Sequence, residues 1–310
     1  MLYVAAGVLA GGSALFLLAC RLLPGLADGW MTAVFAPVSG ALSGLSGRCS
    51  FAVAEPLALL LAALFVFLLF RSRRGACLLL SVVLAGYAFL WAPAYFATQR
   101  YAVGEVDASS LTAVCAELVE NLNTYGAFTL PDDVGERALE VAALADTPVR
   151  PAAAPKYARY PEWMRALSLA GLYVPWTFEA LLNPDEPPAG QPFTAVHELM
   201  HLGGVADEGQ ANICAYEACR RAGGAFAYSA DLWALKYALE ALRALDATAG
   251  NAFVAALSIS VRADFFAIGG VAQAASARGG VAQAFLQISG IGAKTDNYGA
   301  LAAWLCDTYV

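Results

Sequence analysis

The 310-residue sequence predicts a mostly α membrane protein, with three transmembrane helices followed by an α-rich domain outside the membrane that carries one small edge strand. Three observations lead there. Hydrophobic residues make up 60% of the chain, too many for a protein wholly surrounded by water. Three apolar runs, residues 2–20, about 51–70 and 76–97, have the length of roughly 20 residues that a helix needs to cross a hydrocarbon core. Charge divides unevenly: residues 1–98 carry five Arg against Asp28 and Glu55, whereas 99–310 carry 13 Lys and Arg against 23 Asp and Glu. This gives a membrane domain over 1–98 and a second domain over 99–310. The acidic second domain excludes a nucleic-acid partner, which selects a basic surface.

The first run lacks a basic leader, and Cys20 is followed by bulky Arg21, so it reads as an uncleaved anchor rather than a signal or lipidation sequence. In the loop after it, Trp30, Val34, Val38, Leu42 and Leu45 recur at helical spacing, the pattern of a segment lying in the interface or packed on the spans. The second run tolerates Glu55-Pro56 if the pair opens its helix. Arg71, Arg73 and Arg74 then form the densest positive cluster, and the positive-inside rule assigns their loop to the cytoplasm. By counting, the N-terminus is cytoplasmic, and everything after about Thr98 is extracytoplasmic, in a multi-pass protein of the cell membrane. Seven cysteines without a CxxC pair indicate neither a zinc ribbon nor a disulfide scaffold, though one bridge among Cys115, Cys214, Cys219 and Cys306 stays open.

The second domain begins with helical patterns from Ser109 or Ser110 to about Leu122 and from Pro131-Asp132-Asp133 to about Leu144. A Pro/Ala stretch, 151–155, precedes a short helix at 162–169. Aromatic and β-branched residues at Leu172–Phe178 favour a strand, which Pro175 restricts to an edge. After the loop at 184–192, Thr194 is an N-cap for a helix that stops at Gly203-Gly204, and Asp207 opens the next, to about Arg221. Further helices are expected at 231–245, 251–275 and 297–308.

The chain holds two histidines, and they lie four apart in His197-Glu198-Leu199-Met200-His201. Residues at that spacing share a helix face, so both imidazoles can point at one ion while Glu198 reaches water beside it. Zn2+ suits such a site: it takes imidazole nitrogen, has no redox chemistry and lowers the pKa of a bound water to about 7. A third protein ligand is needed, and two acids follow the glycines. Asp207 fits the metzincin spacing HExxHxxGxxH with Asp in last place; Glu208, with Ala211 and Asn212, fits the second helix of a gluzincin. Asp207 makes sense as a helix cap with Gln210 as capping-box partner, and Glu208 shares a face with Asn212, which can orient a ligand histidine. Those arguments favour Glu208. Tyr228 and Tyr298 are candidate donors to a developing oxyanion, with a structural role the commoner employment of buried tyrosines.

Gly171–Ala180, Pro192–His201, Glu208–Asn212, Tyr228-Ser229 and Asn297-Tyr298-Gly299 resemble, in this order, segments of an uncharacterised family of bacterial membrane proteins, the domain of unknown function 3810. That resemblance implies spans coupled to an outer zincin-like (gluzincin) HExxH domain, with Glu208 as the acidic ligand. The sequence departs from it at Gln210, where an acid is expected.

The expectation is a membrane-anchored zinc metallopeptidase with His197, His201 and Glu208 as metal ligands and Glu198 as general base and acid. Its partners are the lipid bilayer and a peptide or protein substrate near the membrane surface. Two alternatives stand beside it: a zinc amidase of the cell envelope, and a non-catalytic zinc-stabilised peptide-binding or sensory module. An intact Glu198 argues against the last, because a structural ion needs no base.

Overall fold

The structure, a computed structural model, describes residues 1–125, 128–276 and 298–309; the side chains of 269–276, 298 and 309 lie outside the described set. The first apolar run forms α1 (Leu2–Leu22). Then come α2 (Leu26–Trp30), a π-helical turn (Met31–Phe35) and α3 (Ala36–Ser46). The second and third runs form α4 (Ala54–Arg71) and α5 (Arg73–Leu90). α1, α4 and α5 are each long and apolar enough to cross a membrane, and their apolar side chains stay largely exposed. A helix suits such a solvent because it satisfies every backbone group within the segment. The Ser72 hydroxyl caps α5, accepting the Gly75 N–H at 3.2 Å. Arg74 lies over the Tyr3 ring, 5.6 Å from its centroid, which puts the amino terminus and the arginine corner at one end of the bundle.

One expectation needs correction here. The third span ends at Leu90 rather than at 97, because Ala92–Phe96 tightens into a 3-10 turn around Pro93, which has no N–H to continue an α-helix. In the 21–50 loop Trp30 packs on Phe16 and Phe89 of the spans and Val38 and Leu42 on the core, as expected, while the fully buried stripe, Ala27, Met31, Phe35, Ser39, Ser43 and Ser46, lies mostly one residue further on. The serine hydroxyls turn onto backbone, Ser43 to Ser39 O at 2.5 Å and Ser39 to Leu202 O at 3.3 Å, so small side chains let this helix approach the rest of the chain closely.

Beyond the bundle come α6 (Ala108–Thr124), α7 (Val134–Ala142), β1 (Lys156–Tyr157), α8 (Glu162–Leu167), β2 (Gly171–Val174) and β3 (Glu179–Leu182). α9 (Gln191–Leu202), α10 (Glu208–Ala222), α11 (Gly224–Leu245), α12 (Ala247–Ala256), α13 (Ile259–Ser276) and α14 (Tyr298–Tyr309) complete the described elements. The N-cap of α6 is Asp107, not Ser109 or Ser110: its carboxylate accepts both of their N–H groups. The single predicted strand is a hairpin. Pro175 to Thr177 form its turn with Phe178, whose φ of 50° bends the chain back, and β3 was not expected. β2 does occupy an edge, in the order β1-β3-β2, antiparallel to β3 with Gly171 opposite Leu182 and Val174 opposite Glu179. Thr194 does not cap α9, which starts three residues earlier with Pro192 in its first turn; its hydroxyl donates to Glu186 Oε1 at 2.6 Å. The predicted 251–275 helix is two, broken at Leu257-Ser258, and the one expected from 231 starts at Gly224.

One apolar cluster runs from Met31, Phe35 and Trp91 through Leu118, Phe178 and Leu199 to Leu235 and Leu305, so the ends of the bundle and the later helices share a core. The sheet is fastened to the start of α4. Glu179 accepts the Val53 and Ala54 N–H groups at 2.9 and 2.7 Å, and Lys156 pairs with it at 2.7 Å while also donating to Ser46 O. Buried Glu55 in turn accepts the Arg159 and Tyr160 N–H groups. Each carboxylate satisfies amides that would otherwise end a segment unpaired.

Candidate metal centre

α9 is buried along nearly its whole length, and its 3.6-residue repeat brings His197 and His201 onto one face. Gly204, at φ +92°, ends that helix and turns the chain so that Asp207 can cap α10 by accepting the Gln210 N–H at 3.0 Å. Glu208 is then the first residue of α10 and faces the histidines. Among the described residues, His197, His201 and Glu208 form a group of three donors whose ligand atoms all lie within 4.8 Å of one another. The two Nε2 atoms are 3.1 Å apart, and the Glu208 carboxylate faces both, with Oε2 3.2 Å from His197 Nε2 and Oε1 3.5 Å from His201 Nε2. Tetrahedral zinc with bonds of about 2.0–2.1 Å imposes ligand-to-ligand edges of about 3.3 Å, so the donor set fits the ion in type and in spacing.

The electrostatics agree with a site for positive charge. Burial disfavours a charged His201 ring, but the neighbouring Glu208 carboxylate outweighs it and pushes the pKa up to about 9. Burial likewise opposes ionisation of Glu208, yet the facing imidazoles, His201 foremost, hold its carboxyl well below the usual range. His201 Nδ1 lies 2.7 Å from Val205 O, so its N–H is directed there and Nε2 is turned to the centre. His197 Nδ1 is buried without a partner, as is Asn212 Nδ2; Asn212 sits one turn after Glu208, and no bond joins it to either ring.

Glu198 lies under β2, close enough to His201, His197 and Glu208 to feel their charges. A Cβ added to Gly171 would lie 2.5 Å from Glu198 Cγ and 2.6 Å from Oε1, so only glycine admits the carboxylate at this position. Burial raises the Glu198 pKa; the two histidines and the Tyr173 N–H act in the opposite sense. A buried carboxyl with a raised pKa beside cationic groups is equipped to take up and release a proton.

The other residues singled out from the sequence fall as follows. Asp207 stays outside the three-donor group as the helix cap. Gln210 does not complete a capping box: its Oε1 accepts the Arg100 and Tyr101 N–H groups and its Nε2 donates to Tyr101 O. Tyr228 donates to Asp264 and stacks on Phe128, which commits it to helix packing. The Tyr298 side chain lies outside the described residues. Sequence reasoning missed three contributors: Gly171, Trp91, whose ring stands edge-on to His201 with centroids 6.1 Å apart, and Glu186, a buried carboxyl that burial pushes up to about 8. A glycine opening a strand beside a ligand helix was the one available signal.

Residues 30–306 match the model of a family described as "Protein of unknown function (DUF3810)", whereas no curated protein and no solved structure matches.

Proposed function

The chain belongs to the DUF3810 family of proteins of unknown function, and from its centre we propose a membrane-anchored zinc-dependent hydrolase, a metallopeptidase of gluzincin type. The observation that carries this reading is the pairing of a zinc-sized donor triangle with a buried, non-ligating carboxylate on the adjacent helical position, Glu198. A purely structural ion needs the first and not the second.

Zinc held by His197, His201 and Glu208 would supply Lewis acidity that polarises a carbonyl and acidifies water. Glu198 accepts the proton of the attacking water as its oxygen bonds to the scissile carbonyl carbon. It then returns that proton to the departing amine as the C–N bond breaks, so one water is consumed and a carboxylic acid and an amine result, the acid then passing its proton on to leave a carboxylate and an ammonium. Gly171 and the Tyr173 N–H hold Glu198 in place. Val205 O keeps the His201 ring in the tautomer that leaves Nε2 free to bind.

For topology we place the arginine corner and the amino terminus in the cytoplasm and residues after about Thr98 outside. The Arg74–Tyr3 contact supports this by putting both at one end of the bundle, while Trp91 and the metal centre lie at the other. The test uses full-length protein in detergent or nanodiscs. Glu198→Gln is expected to keep one zinc per chain, by elemental analysis, and to cut hydrolysis of a peptide library by roughly a thousandfold. His201→Ala is expected to lose the metal. A zinc-loaded wild type that cleaves no peptide overturns the peptidase reading.

A further inference from the structure

We propose that the substrates of this centre are polypeptides anchored in the bilayer and cut within about five extended residues of the anchor. The inference rests on the peptidase reading and narrows its substrate class.

One wall of the centre is built from the end of the helical bundle. Trp91, the residue after α5, stands edge-on to His201 and packs on the Tyr173 ring of β2 with centroids 4.7 Å apart. Met31 and Phe35 close on Gly204, where a Cβ would lie 3.1 Å from each of them. The ligand cluster is thus about one side chain away from the point at which the third candidate span ends.

The β2–β3 turn goes deeper. Trp176 Nε1 donates to Val83 O at 3.1 Å, and its indole covers Gly86, where a Cβ would meet it at 3.2 Å. Val83 lies seven residues before Leu90, the last of α5. At 1.5 Å per residue, the turn touches the span about 10 Å below its outer end. Half-exposed Trp176 and neighbouring Tyr87 are of the type that settles at a membrane–water interface.

β2 joins these two places. It starts with Gly171 against Glu198 and runs to the turn that leans on α5, about 13 Å at the rise of a strand. A chain extended along this edge passes from the catalytic carboxylate toward the bilayer plane. A peptide dissolved in water has no need of that path, whereas a chain whose next residues are in lipid is led along it to Glu198.

The experiment takes full-length, zinc-loaded protein in phosphatidylcholine nanodiscs and a pool of randomised quenched-fluorescent peptides, palmitoylated at one end or left free. Cuts are mapped by mass spectrometry. Anchored peptides are expected to be cut in the five or so residues next to the anchor at about a tenfold excess over more distant bonds. Cuts spread evenly along anchored peptides, or equal cleavage of the free pool, overturn the proposal and leave the peptidase reading standing. No cut in either pool removes both. A binding readout is independent of turnover: in the Glu198→Gln protein, a benzophenone next to the anchor is expected to crosslink to the tryptic fragment containing Gly171–Leu182. Equal crosslinking from a benzophenone far from the anchor also overturns it.

Discussion

Asp207 and Glu208 are adjacent carboxylates with different employments, and the difference is one of backbone position. Asp207 precedes the first turn of α10, where its carboxylate meets an unpaired N–H; Glu208 is inside that turn, with its side chain swung toward the imidazoles. Glu208→Ala is therefore expected to weaken zinc binding by roughly a hundredfold or more, and Asp207→Ala to cost about 1 kcal/mol of stability with little change in affinity. Competition titration with a chromophoric chelator measures both. An equal or reversed ranking moves the third ligand to Asp207. The grouping of the three candidate donors was legible in the sequence because helix geometry is local: spacings of four between His197 and His201, and between Glu208 and Asn212, fix which side chains share a face. Gln210 was legible as a departure but not in its cause. Its amide both accepts from the Arg100 and Tyr101 N–H groups and donates to Tyr101 O, and a glutamate has no proton for the second bond.

At the level of elements, β2 is the support of the proposed general base, and its glycine is the test. Gly171→Ala forces a methyl to 2.5 Å from Glu198 Cγ, so the carboxylate must move while all three ligands keep their places on α9 and α10. The expected result is a fall in kcat/KM of about tenfold or more with zinc content unchanged. An unchanged rate would show that the carboxylate adjusts freely. The contact spans 27 residues of sequence between a strand and a helix, so no periodicity announces it. The three long apolar helices were readable because hydrophobic runs of that length have few other uses. The hairpin was not, since Trp176 and Phe178 favour a strand by type but serve its turn by packing on α5 and Phe35. Caps failed in a similar way: Thr194 has the right chemistry for an N-cap and spends it on buried Glu186 instead.

For the whole molecule, the decisive junction is the one between sheet and bundle. Glu179 is buried with Lys156 and holds the first amides of α4. Glu179→Ala leaves the Lys156 charge with only carbonyl partners, a change that costs about 3–5 kcal/mol. A fall in Tm of roughly 10 °C is expected for a chain of this size, read by thermal shift in detergent. A fall under about 2 °C would mean that the junction contributes little. None of this was visible in the sequence, where Glu179 and Val53 are 126 positions apart. The spread of the remaining contacts has a consequence for inheritance. The proposed ligands and base lie within twelve consecutive positions, 197–208, whereas the side chains proposed to line the substrate's path, Trp91 and Trp176, are encoded elsewhere. Lineages can therefore revise what the protein selects by changes at positions far from 197–208 while the proposed chemistry, written within that stretch, passes on unaltered.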